Sequence, residues 1–182
     1  MSLSLIPDTV FSDYRAVTAE FLRARGITLL LSDLDYTLAP KSRRLPDEEV
    51  RRWLSSLKSE GITVVVISNN HGGSRAKEFC VPLGVDFVPF AGKPSTRGLA
   101  EAMRRTGKTA KETAMLGDKL LTDVLAAKRM GIPALMVEPL DGPVGAWNRF
   151  LHVLQTPFKA VSRRRNEKNQ KCGEKDLPNG EK

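Results

Sequence analysis

An α/β fold built on a parallel sheet is what this 182-residue chain predicts, on three observations. Five short β-rich runs are apolar almost throughout, amphipathic stretches separate them, and acidic, hydroxyl or lysine side chains stand where the runs end. The runs cover residues 27–32, 63–68, 85–89, 113–116 and 133–137. A strand covered on both faces reads as a continuous apolar stretch rather than an alternating one. Helical patterns at 46–59, 74–83, 95–105 and 122–130 lie between them, so parallel pairing through right-handed crossovers follows. Helices begin near Asp47 and Ser74, and Gly61, Gly84 and Gly131 stand where helices stop. Before the first run, Phe11, Tyr14, Val17, Phe21 and Leu22 have helical spacing and predict a helix over 11–25. After the last, Trp147, Phe150, Leu151, Val153 and Leu154 predict another, packed on the sheet or resting on a membrane surface. The expected architecture is a three-layer sandwich around a five-stranded parallel sheet.

Length and a 41% hydrophobic content fit one domain, expected over residues 1–158, whose core needs no metal or disulfide to hold it together. Lys and Arg number 29 against 21 Asp and Glu, and half of the +8 excess falls in the last 24 residues. That segment, residues 159–182, carries Arg163, Arg164 and Arg165 but little apolar surface to offset the entropy of ordering, and is expected to be a disordered basic tail. Such a tail attracts nucleic acid or anionic lipid, or is simply solvated. Cys80 and Cys172 lack the spacing of a disulfide framework or a zinc site, which fits a reducing cytosol. No stretch approaches the roughly 20 apolar residues of a membrane span. Asp8 and Asp13 argue against a secretory or transit peptide. A cytoplasmic protein is expected, with peripheral contact at the inner face of the membrane as an extension of that reading.

The chemistry gathers at the carboxyl ends of the strands, where open α/β sheets place their ligands. The first run leads into Asp33-Leu34-Asp35-Tyr36-Thr37. In extended backbone, positions i and i+2 point to one side, and two close carboxylates resist ionising together without a cation. That pattern asks for Mg²⁺. A single Asp at a strand end commonly caps a turn, but three further signals accompany this pair. The second run ends in Ser68-Asn69-Asn70, a hydroxyl with free backbone N–H groups suited to phosphoryl oxygens. Lys93-Pro94 follows the third and can set an ammonium against a phosphate. Gly117-Asp118 ends the fourth, with Thr122-Asp123 beyond it. Asp33 and Asp118 can supply carboxylates to Mg²⁺, and Asp123 is cast as an outer partner orienting Lys93 or a metal-bound water.

With these four motifs in this order, the chain resembles the haloacid dehalogenase superfamily of phosphatases. Leu5-Ile6-Pro7-Asp8, Arg25-Gly26-Ile27, Ser68-Asn69-Asn70 and Thr122-Asp123-Val124 make it similar to the YqeG-type branch, which includes phosphatidylglycerophosphate phosphatases. The resemblance implies strand order 3-2-1-4-5, with Asp33 attacking phosphorus to form an aspartyl-phosphate and Asp35 protonating the leaving alkoxide before activating water. It implies Thr37, Ser68, Asn69 and Lys93 as phosphate-binding residues. Mg²⁺ would be held by Asp33, Asp118 and the backbone carbonyl of Asp35, with Asp123 behind them. Tyr36 stands where the branch often has Asn, Lys119 where it often has Gln, and Lys128 where Asn is common.

The spacing between motifs bears on the substrate. From Asp35 to Ser68 there is room for one helix and one strand, and Asn70 to Lys93 holds the same. No cap domain is expected, so the site should be open, which fits a headgroup at a bilayer or a macromolecular phosphate better than a free sugar phosphate. Phosphatidylglycerophosphate is the preferred substrate, with a soluble, protein or nucleic-acid-end phosphomonoester as the alternative. A receiver domain uses similar parts, but there the Lys-Pro follows the other elements, whereas Lys93-Pro94 precedes Asp118. A non-catalytic basic scaffold binding RNA or the ribosome is disfavoured by the retained acidic site and the lack of an aromatic platform in the tail.

Overall fold

The computed structural model describes residues 4–70, 74–142, 153 and 155–166. All six strands of its sheet run parallel: β1 (Thr9–Phe11), β2 (Leu29–Ser32), β3 (Thr63–Ile67), β4 (Asp86–Val88), β5 (Thr113–Gly117) and β6 (Ala134–Val137), in the order β1-β6-β5-β2-β3-β4. Side chains alternate across the strands, so Leu30, Val66 and Leu116 face one layer while Leu29, Leu31 and Ile67 face the other. The first layer is α1 (Ala19–Arg23), α2 (Glu48–Ser59) and α3 (Ser74–Cys80), which contribute Leu22, Leu57 and Phe79. The second is α4 (Arg97–Thr106) and α5 (Leu125–Met130), through Leu99, Ala102 and Ala127. Burial on both faces is why the strand sequences lack polar alternation.

The five-stranded expectation is corrected by β1, which adds a sixth strand beyond β6 and so changes the order of the whole sheet, while the five expected strands keep their relative order as β4-β3-β2-β5-β6. Phe11, read as the start of a helix, pairs instead with Val137. Asp8 fixes the approach: its N–H donates to the Ala134 carbonyl at 2.9 Å, its carboxylate accepts from the Ala134 N–H at 2.7 Å, and it pairs with Lys128 at 2.7 Å. The rest of the expected 11–25 helix divides into a single turn at Tyr14–Ala16, capped by Asp13, and α1, capped by Thr18.

Helix α2 starts as expected, the Asp47 carboxylate accepting from the Val50 N–H at 2.9 Å. Between β2 and β3 the described chain forms α2 with its lead-in loop, and between β3 and β4 it forms α3 and one further turn, Val81–Leu83. The expected helix at 122–130 begins with a π-helical turn, Leu120–Val124, before α5.

The boundary expected between Phe158 and Lys159 falls within a helical segment, residues 155–166. Lys159 is buried there and meets Glu138 at 2.5 Å, and Arg163 meets the same carboxylate at 2.8 Å. The opening of the expected disordered tail is therefore helical and ion-paired to an acidic residue just after β6. Trp147, Phe150, Leu151, Leu154, Cys172 and the remainder of the tail lie outside the described residues; Val153 is exposed. Cys80 is a free, buried thiol. Among the described residues no helix is long and apolar enough to cross a membrane.

Candidate active site

The β2–β5 pairing continues one residue past β2, where the Asp33 N–H donates to the Leu116 carbonyl at 2.8 Å. This places Asp33 beside Asp118, and β3 and the loop after β4 bring in Ser68 and Lys93 from the other side. A cavity of about 440 Å³ opens here, lined by Asp33, Asp35, Asn69, Lys93 and Asp123 among others.

Lys93 is the hub. Its ammonium donates to Asp33 Oδ1 at 2.5 Å and to the Ile67 carbonyl at 2.8 Å, and lies 2.7 Å from Asp123 Oδ1. Burial by itself would lower the Lys93 ammonium, but the Asp123 and Asp33 carboxylates outweigh it and hold the group above the ordinary lysine range. The π-helical turn carries Asp123 back to this position. Its other oxygen accepts from the Lys119 N–H at 3.0 Å. Gly117 makes room: a Cβ there would lie 2.4 Å from the Asp123 side chain.

Asp33, Asp118 and Asp123 are all buried, with one carboxylate oxygen of each within 4.8 Å of the others. Burial raises the Asp33 carboxyl against the pull of Lys93, and pushes Asp118 up to about 7 against that of Lys119. Lys119 meets both Asp118 oxygens, at 2.8 and 2.9 Å, and stands 5.3 Å from the centre of the Tyr36 ring. Three buried carboxylates thus face two ammonium groups, and the crowding together with the all-oxygen donor set fits a hard divalent cation. Asp118 and Asp123 are both engaged through both oxygens, but Asp123 is tied to a backbone N–H and to the buried Lys93, whereas Asp118 is met by the part-exposed Lys119 side chain, so Asp123 is the more firmly committed of the two.

The expected residues converge unequally. Asp33, Asp35, Asn69, Lys93 and Asp123 line the cavity, as do Tyr36, Lys41, Asn70, Lys119 and Thr122. Ser68 is buried behind the lining residues Asn69 and Asn70, and its hydroxyl accepts from the Asn70 N–H at 3.1 Å. Thr37, expected at the phosphate, is fully buried and does not line the cavity. Asn69, expected at the phosphate, lines the cavity while its side chain turns to the Lys93 backbone. Both ends of its amide are engaged by the Lys93 backbone, donating to the carbonyl at 2.9 Å and accepting from the N–H at 2.8 Å. Asn69 sets the position of Lys93.

Asp33 and Asp35 share the cavity but not their partners. The Asp35 carboxylate accepts from Arg75 Nε at 2.6 Å. Arg75 was not singled out by sequence, although a cation in the first turn of α3 opposes the helix dipole and so signals a partner elsewhere.

Residues 5–131 match the family described as "Hydrolase: haloacid dehalogenase-like hydrolase". The "Probable phosphatase YqeG" of Bacillus subtilis (strain 168) is 32% identical over 145 residues, covering 80% of this chain and 84% of that protein. "Phosphatidylglycerophosphate phosphatase 1, chloroplastic" of Chlamydomonas reinhardtii is 29% identical over 143 residues, covering 74% of this chain and 53% of that longer protein. A crystal structure of an uncharacterized protein from Listeria monocytogenes serotype 4b shares the fold, with a TM-score of 0.54 and 18% identity over 66% of this chain and 83% of that one. Motif order, fold and family match agree: the chain belongs to the haloacid dehalogenase-like hydrolases and has YqeG-type phosphatases among its relatives.

Proposed function

We propose that this phosphatase hydrolyses a phosphomonoester through an aspartyl-phosphate on Asp33, and that its substrate is phosphatidylglycerophosphate. The observation that carries the chemical part is the buried Lys93 ammonium between Asp33 and Asp123, with Asp118 in the same cluster. Asp33 attacks phosphorus as the bond to the leaving oxygen breaks, and Asp35 gives that oxygen its proton. Asp35 then takes a proton from water, which attacks phosphorus and releases Asp33 and phosphate. Lys93 and the backbone around Ser68 hold the transferring group, and Asp123 and Asn69 hold Lys93. Asp33, Asp118 and the Asp35 carbonyl would hold Mg²⁺, which when bound neutralises phosphoryl charge.

The lipid substrate draws support from the two plastid or mitochondrial relatives named for it, at 29% and 25% identity. The described chain between β2 and β3 and between β3 and β4 holds one helix each with its loops and turns, and an open site of that kind would suit a headgroup presented at a surface, as exposed Arg164 and Arg165 would suit an anionic one. The test is Mg²⁺-dependent phosphate release from phosphatidylglycerophosphate in mixed micelles beside a panel of soluble phosphomonoesters, with Asp33→Asn as control. Lipid turnover that vanishes in the variant, with soluble esters poor, is the expected result. Asp33-dependent turnover of soluble esters alone would discard the lipid while keeping the chemistry.

A further inference from the structure

We propose that Arg75 is the positioning residue for Asp35, fixing the proton-transferring carboxyl and the loop beside it as one unit. The inference rests on Asp35 being the acid/base, as proposed above. The Arg75 side chain is only 7% exposed, and a buried guanidinium is costly unless its donors are matched. Here Nε donates to Asp35 Oδ1 at 2.6 Å, Nη2 donates to the Pro40 carbonyl at 2.9 Å, and Nη1 donates to the Arg43 carbonyl. Two of these partners are backbone groups of the loop between β2 and α2, which also carries the cavity-lining Tyr36 and Lys41. The third is a cavity carboxylate.

A buried guanidinium needs a counter-charge wherever it sits, and the one Arg75 takes is the cavity carboxylate of Asp35 rather than a carboxylate away from the site. The geometry does more, because Asp35 sits on the long loop between β2 and α2, tied locally to Ala39 by a single bridge, rather than within a strand or helix. Its carboxylate is 21% exposed and would otherwise sample several rotamers. With Oδ1 held from the α3 side, proton exchange with the leaving oxygen falls to Oδ2. A planar fork with fixed donor directions sets such an orientation in a way that a point charge on a flexible stem does not.

The experiment separates positioning from folding by leaving-group chemistry. p-Nitrophenolate leaves without a proton, whereas an alkoxide needs one, so loss of a positioned acid slows alkyl esters selectively. The full chain, its Arg75→Met, Arg75→Lys and Asp35→Asn variants and the Arg75→Met/Asp35→Asn double variant are compared with glycerol phosphate and p-nitrophenyl phosphate. Glycerol phosphate is followed at steady state, and p-nitrophenol release as the pre-steady-state burst. Arg75→Met is expected to lose about 100-fold in kcat on glycerol phosphate, within the usual span of general acid catalysis, but only a few-fold in burst rate. The double variant should be no slower than Asp35→Asn. If Arg75→Met does not fold, Arg75→Lys, which keeps the charge without the fork, should show the same selectivity at smaller amplitude. Equal losses on both esters, or additive losses in the double variant, would overturn the proposal alone. An Asp35→Asn variant without leaving-group selectivity would sink the Asp35 assignment, and the proposal with it.

Discussion

The Lys119 ammonium reaches both carboxylate oxygens of Asp118, at 2.8 and 2.9 Å, from beside the Tyr36 ring. Those are the two oxygens Asp118 would offer to a divalent cation. Metal binding therefore has to displace a protein cation as well as water. Lys119→Gln is expected to bind Mg²⁺ roughly five-fold more tightly, equivalent to about 1 kcal/mol, as read by calorimetric titration of the metal-free protein. Unchanged or weaker binding would show that Lys119 does not compete.

Tyr36 has φ of +67°, with its N–H donating to the Ala39 carbonyl and its carbonyl accepting from Leu140, each at 2.8 Å. A left-handed backbone is disfavoured for an aromatic residue and tolerated by Asn, the residue the YqeG-type branch often has here. Tyr36→Asn should raise stability by about 1 kcal/mol in urea unfolding, a gain that appears only if the strain exceeds the lost ring contacts.

Gly117→Ala puts a methyl group 2.4 Å from the Asp123 side chain. Either Asp123 moves away from Lys93 or β5 shifts. A stability loss of about 1–3 kcal/mol is expected in denaturant titration, with a larger loss of kcat than of substrate affinity. A variant equal to the parent in both would show the contact to be easily relieved.

Much of this site was readable from sequence because sheet topology places strand carboxyl ends together. Asp33, Lys93 and Asp118 needed only the recognition of three strands. Elements held by long-range pairing were not readable. Three residues, Thr9–Phe11, are too few to show a strand period, and Phe11 fits a helical spacing equally well. Arg75 is one arginine among many in the chain, and its partner lies 40 residues away in sequence. Residues 159–166 have the composition of a solvated tail, and their ion-pair partner is Glu138, about which composition says nothing.

That last contact is open to test. Glu138→Ala leaves a Lys159 side chain that is only 4% exposed without its carboxylate, at a cost of about 1–3 kcal/mol to local docking. Trypsin should then cut at Arg163, Arg164 and Arg165 several-fold faster, while the core melts as before. Unchanged cleavage would mean that apolar contacts hold the segment without the ion pair.

Burial pushes the Cys80 thiol up to about 12 and, with help from Asp47, the Tyr14 phenol up to about 12. In the unfolded chain these groups lose protons from about pH 8.5 and 10 respectively, so between those values and 12 the folded state binds more protons. Stability is thus fully present below about pH 8.5 and falls as pH rises toward 12. Urea midpoints taken between pH 8 and 11 should decline, and Cys80→Ala should flatten the earlier part of the decline. Native Cys80 should also resist iodoacetamide until the chain unfolds.

The two outermost strands, β1 and β4, are each three residues long. Among the described residues each presents about 10 Å of ladder edge, less than two chains need for a lasting strand-to-strand seam. Copies of this protein would have to meet through side-chain surfaces, because the sheet is blunted at both ends against the templated strand addition from which fibrils grow.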